Sequence, residues 1–272
     1  MTDPTFRRTT LGRTGLEVGR LGLAAGYGVP ARAVEQAFEA GVNYLYWGSW
    51  RRDRFADALR NLASQRERMV LVVQSYARWG FWVTGSVERA LKKLGFEYAD
   101  VLLLGMWNGP AWSGVLDAAR RLKERGLVRH LGLSTHERSM IPKLAGNPEL
   151  ELFHVRYNAV HRGAERDVFP HLGPDGRPGL VAFTATSWRQ LLDPRRIPPG
   201  ERVPTAGDCY RFVLSQPAID VCLTGPSKVE EMERALEAFA EGPMSAEELA
   251  WMRRVGAAIY EKKRGRPSPV AP

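Results

Sequence analysis

The sequence predicts an α/β fold, a (β/α)8 TIM barrel with an N-terminal β-hairpin and extra C-terminal helices. Three observations predict it. Eight apolar runs of strand length occur along the chain, and amphipathic helical stretches separate them. A length of 272 residues is also just above that of a single barrel. The runs fall at 21–24, 42–46, 70–74, 100–104, 130–134, 152–157, 180–184 and 219–223. Their near-continuous Val, Leu and Ile content suits parallel strands covered on both faces. The whole chain, 1–272, reads as one domain without a linker.

Each element has its own signal. Within the hairpin segment 1–19, Gly12 and Gly15 mark a short turn before the first barrel strand. A helix at 31–40 carries Val34, Ala37 and Phe38 on one face. Another at 87–94 carries Val87, Ala90, Leu91 and Leu94, with Lys92 and Lys93 outward and Ser86 as its N-cap. A third, at 114–124, carries Val115, Ala118, Ala119 and Leu122 and stops before Gly126. A Pro- and Arg-rich loop spans 193–207, and a helix follows at 206–214. Two helices close the chain, at 229–239 and 245–262. Ser245 and Glu248, three residues apart, form a capping box for the second. The Pro-rich residues 264–272 are expected to be disordered.

Composition excludes several function classes. No apolar run approaches the roughly 18 residues that a membrane span needs. The first residues lack an apolar signal region, so no membrane association and a cytoplasmic location are expected. A net charge of +9 raises the question of nucleic acid. The arginines are spread along the chain among acidic residues and no nucleic-acid motif accompanies them, so no nucleic-acid partner is expected. Arg51, Arg52 and Arg54 are the exception, clustered in one loop. Cys209 and Cys222 have neither metal-ligand spacing nor a disulfide framework, and both read as core residues.

Several segments share an order and spacing that is specific. They are the opening Leu-Gly-Arg-Thr-Gly-Leu-Glu-Val at 11–18, the Gly-Val-Asn-Tyr-Leu-Tyr-Trp-Gly-Ser-Trp-Arg run at 41–51, and the Leu-Lys-Glu-Arg-Gly-Leu-Val-Arg-His-Leu-Gly-Leu-Ser-Thr run at 122–135. Arg156-Tyr157-Asn158 and the Leu-Thr-Gly-Pro-Ser-Lys run at 223–228 complete the set. Over nearly its full length the chain resembles the aldo-keto reductase superfamily. The resemblance implies a barrel that reduces carbonyls with NADPH. A Tyr tuned by a Lys and an Asp donates the proton, and a His orients the substrate.

At those four places this chain departs from the family. Tyr46 stands where the family has Asp, Arg51 where it has Tyr, Gln74 where it has Lys, and Gly105 where it has His. A positioned proton-transfer group contributes about 10²–10⁴-fold to rate, so ordinary ketone reduction is not expected. The cofactor positions are kept in part. Ser134 and Thr135 stand for the family's Ser-Asn pair, His154 for its Gln, and Phe183 for the Tyr that stacks on nicotinamide. Gly225 lies in the loop after strand eight. Ser227 and Lys228 match the positions that hold the 2′-phosphate, at a helix start where N–H groups favour anions. The Glu-Asn pair that usually follows reads Arg234-Ala235.

In a barrel of this kind the C-terminal strand ends form the working face. Tyr46, His136 and Tyr76 are the candidate acids and bases there, the first two with a structural alternative. Tyr46 can equally be a phenol hydrogen-bonded within the structure, and His136 an exposed helix-start residue. Trp47, Trp50, Arg51, Gln74, Trp107 and Asn108 are candidate substrate contacts. The mouth reads as an aromatic pocket with no carboxylate pair and no metal-ligand cluster. The expected function is a non-standard oxidoreductase that binds NADP(H) and takes a planar or apolar small molecule. The alternatives are a cofactor-independent lyase, isomerase or hydrolase, or a non-catalytic ligand-binding protein. The sequence sets no oligomeric state.

Overall fold

The computed structural model describes residues 6–48, 52–173 and 176–264. A two-stranded hairpin opens the chain, β1 (Arg8–Thr10) against β2 (Glu17–Gly19), with Arg8 opposite Gly19. Eight parallel strands follow: β3 (Leu21–Ala24), β4 (Tyr44–Trp47), β5 (Val70–Ser75), β6 (Ala99–Leu104), β7 (Val128–Ser134), β8 (Leu152–Arg156), β9 (Gly179–Phe183) and β10 (Val221–Thr224). They close into a barrel in sequence order, with β10 pairing back onto β3.

Nine helices lie among the described residues. They are α1 (Ala31–Glu39), α2 (Asp53–Asn61), α3 (Gly80–Leu94), α4 (Ser113–Glu124), α5 (Met140–Ala145), α6 (Ala164–Asp167), α7 (Ala206–Leu214), α8 (Val229–Ala240) and α9 (Ala246–Arg264). The expected capping box of the last helix is present. The Ser245 amide donates to Glu248 at 2.7 Å, and the Glu248 amide donates to the Ser245 hydroxyl at 3.2 Å. The chain is helical through Arg264, so of the expected disordered tail only 265–272 lie outside the described residues.

Two apolar layers follow from the period of the strands. One face of each strand packs against the surrounding helices, and this layer holds Leu45, Trp47, Val73 and Leu104. The other face fills the barrel with Tyr44, Val70, Val72, Val101, Leu103 and Val181. Leu11 and Val18 of the hairpin plug its N-terminal end.

Two expectations need correction. The second barrel strand was expected at 42–46 but runs from Tyr44 to Trp47, because Asn43 is taken up below it. The Asn43 side chain accepts from the Gly19 amide at 2.8 Å and donates to the carbonyls of Glu17 and Arg68. Alternation along β4 points Tyr44 and Tyr46 into the barrel and Leu45 and Trp47 outward into the helix layer. The helix expected at 87–94 starts seven residues earlier, so Ser86 lies inside α3 and is not its N-cap. Val83 extends the buried stripe of Val87, Ala90, Leu91 and Leu94 by a turn. The bulky exposed pair Phe81 and Trp82 hides that periodicity in the sequence.

Candidate active site at the barrel mouth

The strand ends deliver a small uncharged cluster to the open end of the barrel. Tyr46 points inward from β4, and its phenol donates a short hydrogen bond to the Gln74 amide oxygen from β5. The Gln74 amide nitrogen reaches the Ser134 hydroxyl on β7 at 3.5 Å. Ser134 also accepts from the Met106 amide at 3.0 Å, which leaves its O–H as a donor. Gln74 is neutral and brings no charge to the phenol. None of the barrel strands carries a lysine.

Gly105 shows how these substitutions fit together. A Cβ at that position would sit 2.6 Å from the Gln74 amide nitrogen and 2.7 Å from the Tyr76 ring. Gln74 and Tyr76 therefore fill the space that a side chain from 105 would need. Three places that differ from the family pattern, Tyr46, Gln74 and Gly105, thus pack together around Gln74.

One layer deeper, Tyr44 and His154 are hydrogen-bonded at 2.8 Å inside the barrel. Both are buried. Burial pushes the Tyr44 phenol up and brings the His154 imidazole down to about 3, so the pair is neutral. His154 also lies 5.5 Å from the Tyr46 ring. It fills the barrel beneath the mouth.

His136 is the imidazole that reaches solvent at this face. Its ring stands edge-on to Phe183 at 5.7 Å. Partial burial, with the charge of Arg156, holds it below the ordinary histidine range. Its amide donates to the Asn108 side chain at 3.2 Å, and Thr135 reaches the same oxygen at 3.4 Å. Thr135 and Asn108 therefore shape the loop that presents His136. The structure gives the two candidate acid–base groups separate partners, Gln74 and His154 for Tyr46 and Phe183 for His136.

Of the tryptophans expected to contact substrate, the two that are described are buried. Trp47 is fully buried in the helix layer and cannot touch a substrate. Trp107 is 5% exposed, wedged under the Arg78 guanidinium at 4.4 Å and against Trp112 at 5.7 Å. Trp50 and Arg51 lie outside the described residues. Trp79 and Trp112, 5.9 Å apart, are exposed, as are Tyr76, Phe81 and Trp82. All five belong to the segments that follow β5 and β6. A strand followed at once by exposed aromatics was the signal in the sequence, and it reads there as the start of a helix. Asp53 begins α2 and pairs with Lys93 of α3, away from the mouth.

On the opposite rim, the loop after β10 holds Gly225, Ser227 and Lys228. A Cβ at 225 would meet the Tyr27 ring at 2.3 Å, so Tyr27 lies directly over this backbone. Ser227 donates from its amide and its hydroxyl to one oxygen of Glu231, at 2.7 and 2.9 Å. Arg189, from the loop after β9, donates to the other oxygen at 3.1 Å. Burial pushes the Glu231 carboxyl up, but the Ser227 hydrogen bonds and the Arg189 charge outweigh it and hold the carboxyl below its usual range. Lys228 is exposed. Neither Arg189 nor Glu231 stands out in the sequence as a site residue.

Comparison with known proteins agrees with this architecture. A family model described as the aldo/keto reductase family matches residues 31–185. The uncharacterized oxidoreductase YqkF of Bacillus subtilis is 21% identical, over 90% of this chain and 94% of its own. Among solved structures, the holo form of aldo-keto reductase AKR11C1 from Bacillus halodurans superposes with a TM-score of 0.77 at 20% identity. That match covers 95% of this chain and 99% of the other. An aldo/keto reductase from Klebsiella pneumoniae, in complex with NADP and acetate, gives a TM-score of 0.75 at 18% identity, covering 92% and 96%. At such identities the structural likeness speaks to the fold.

Proposed function

Because the chain belongs to the aldo/keto reductase family, we propose that it is a divergent oxidoreductase working without the family's proton-donating set. It binds a nicotinamide nucleotide and takes a planar, apolar small molecule. The observation that carries this reading is the Tyr46–Gln74 pair, a phenol held by a neutral amide in place of charged groups. A bound nicotinamide supplies or accepts the hydride.

The described residues fit the nicotinamide end of that nucleotide. Phe183 offers a ring at the mouth for stacking, and Ser134 offers an O–H at the end of β7. They do not fit a 2′-phosphate, since Glu231 already holds the Ser227 donors at that place. The exposed Trp79 and Trp112 present flat apolar surface, which suits an aromatic substrate.

His136 handles the proton in this reading. Partial burial and the charge of Arg156 favour the neutral imidazole, the form that can act as a base. In oxidation of an alcohol, the hydroxyl proton would pass to His136. Thr135 and Asn108 position the loop that carries it.

Fluorescence titration with NADH and NADPH, followed by turnover of aromatic alcohols and aldehydes, tests the proposal. Binding followed by turnover that falls at least about 10²-fold in His136→Ala supports it. Failure of both nucleotides to bind defeats it. Binding without turnover across the panel favours a ligand-binding protein, a reading to which the engaged Tyr46 phenol lends support. Turnover that survives removal of nucleotide favours a cofactor-independent enzyme.

A further inference from the structure

The start of α8 already contains an anion of its own. A helix N-terminus offers unpaired N–H groups and a positive dipole end, and it attracts phosphate where those donors are open. Here the Ser227 amide and hydroxyl both point to Glu231, at 2.7 and 2.9 Å. Glu230 adds a second carboxylate to the same turn. A phosphate arriving there must displace Glu231 from both donors and then sit beside two like charges.

The carboxylate is held from outside its own helix as well. Arg189 comes from the loop after β9, and its backbone has a left-handed φ of 63°. Ser187 and Trp188 before it are also left-handed, at 50° and 58°. The Arg189 amide donates to the Thr186 hydroxyl at 3.2 Å, which helps hold the loop in this shape. Its guanidinium then reaches Glu231 at 3.1 Å and joins the loop after β9 to the start of α8. A local helix cap would need no such partner.

We infer that Glu231 is a specificity-determining residue, placed so that the groove admits a dinucleotide ending in a plain ribose and turns away one carrying a 2′-phosphate. A ribose hydroxyl can donate to a carboxylate, whereas a phosphate dianion is repelled by it. The inference rests on the nucleotide reading above and names which nucleotide it is, NAD(H) and not NADP(H).

Calorimetric titration of the full chain with ADP-ribose and with 2′-phospho-ADP-ribose separates the two ideas, because neither probe carries nicotinamide. The wild-type protein is expected to bind ADP-ribose at least tenfold more tightly. Glu231→Gln, which removes the charge and keeps the shape, is expected to narrow that ratio at least tenfold. Arg189→Ala takes a cation from the same carboxylate without altering the helix, and it widens the ratio. This second variant serves if Glu231→Gln does not fold. Equal affinity for the two probes, a preference for the phosphorylated one, or a ratio unmoved by the substitutions overturns the inference alone. Failure of both probes to bind overturns it together with the nucleotide reading.

Discussion

The two ends of the barrel treat charge in opposite ways. At the N-terminal end, buried carboxylates clamp the beginnings of strands. Asp100 accepts from the Leu71 amide at 2.8 Å and pairs with Arg66 and Arg129. Asp220 accepts from the Leu180 amide at 2.8 Å and pairs with Arg177 at 2.6 Å. Glu151 binds Lys123, His130 and the Leu131 amide. Burial pushes that carboxyl up, but the hydrogen bonds from His130 and Lys123 prevail and bring it to about 2. At the mouth, a phenol, an amide and a hydroxyl take the place of such groups. Charge holds strands together at the N-terminal end, whereas the Tyr46, Gln74 and Ser134 cluster at the mouth carries none.

Substitutions at each end sharpen this contrast. Asp220→Ala should have the largest effect on stability, since it leaves Arg177 and the Leu180 amide without their buried partner. A loss of about 3–5 kcal/mol is expected, read from the urea midpoint. A change under 1 kcal/mol would make the N-terminal end no more dependent on its charges than the mouth.

The Tyr44–His154 pair lies between the two ends and gives a pH-dependent test. The folded imidazole titrates at about 3, whereas in the unfolded chain it titrates near 6.5. Below about pH 6.5 the unfolded chain takes up a proton that the folded chain refuses. The contribution of His154 is therefore whole above that pH and is lost as pH falls towards 3. Each pH unit within the window costs up to roughly 1.4 kcal/mol. His154→Gln should flatten the corresponding part of the stability profile. An unchanged slope would mean that other groups set acid sensitivity.

A smaller effect is expected at the mouth. Gly105→His restores the residue type found in the resembling family, but its Cβ collides with Gln74 and Tyr76. A loss of about 1–3 kcal/mol is expected in thermal unfolding, with no gain in carbonyl reduction. A stable variant with increased reduction would mean that Tyr46, Gln74 and Gly105 do not pack as a unit.

The fold was legible because alternation of strand and helix leaves a strong apolar pattern, and all eight barrel strands lie near their expected places. The missing tetrad was legible too, since residue types can be read without coordinates. Side-chain direction was not. Trp47 is a core residue because side chains alternate along β4 and Tyr46 before it faces the barrel interior. Trp79 and Trp112 were overlooked because aromatics at a helix start carry no periodic signal. Glu231 was invisible because its partner Arg189 lies 42 positions away in sequence.

The most direct test of the central claim compares kcat/KM of Tyr46→Phe with that of His136→Ala on the best aromatic alcohol of the panel. With the phenol engaged by Gln74 and the imidazole free to take the proton, Tyr46→Phe should change the rate by less than about tenfold and His136→Ala should lower it by about 10²-fold or more. A fall of about 10²–10⁴-fold in Tyr46→Phe, with His136→Ala close to wild type, would contradict the account and return the proton to a tyrosine.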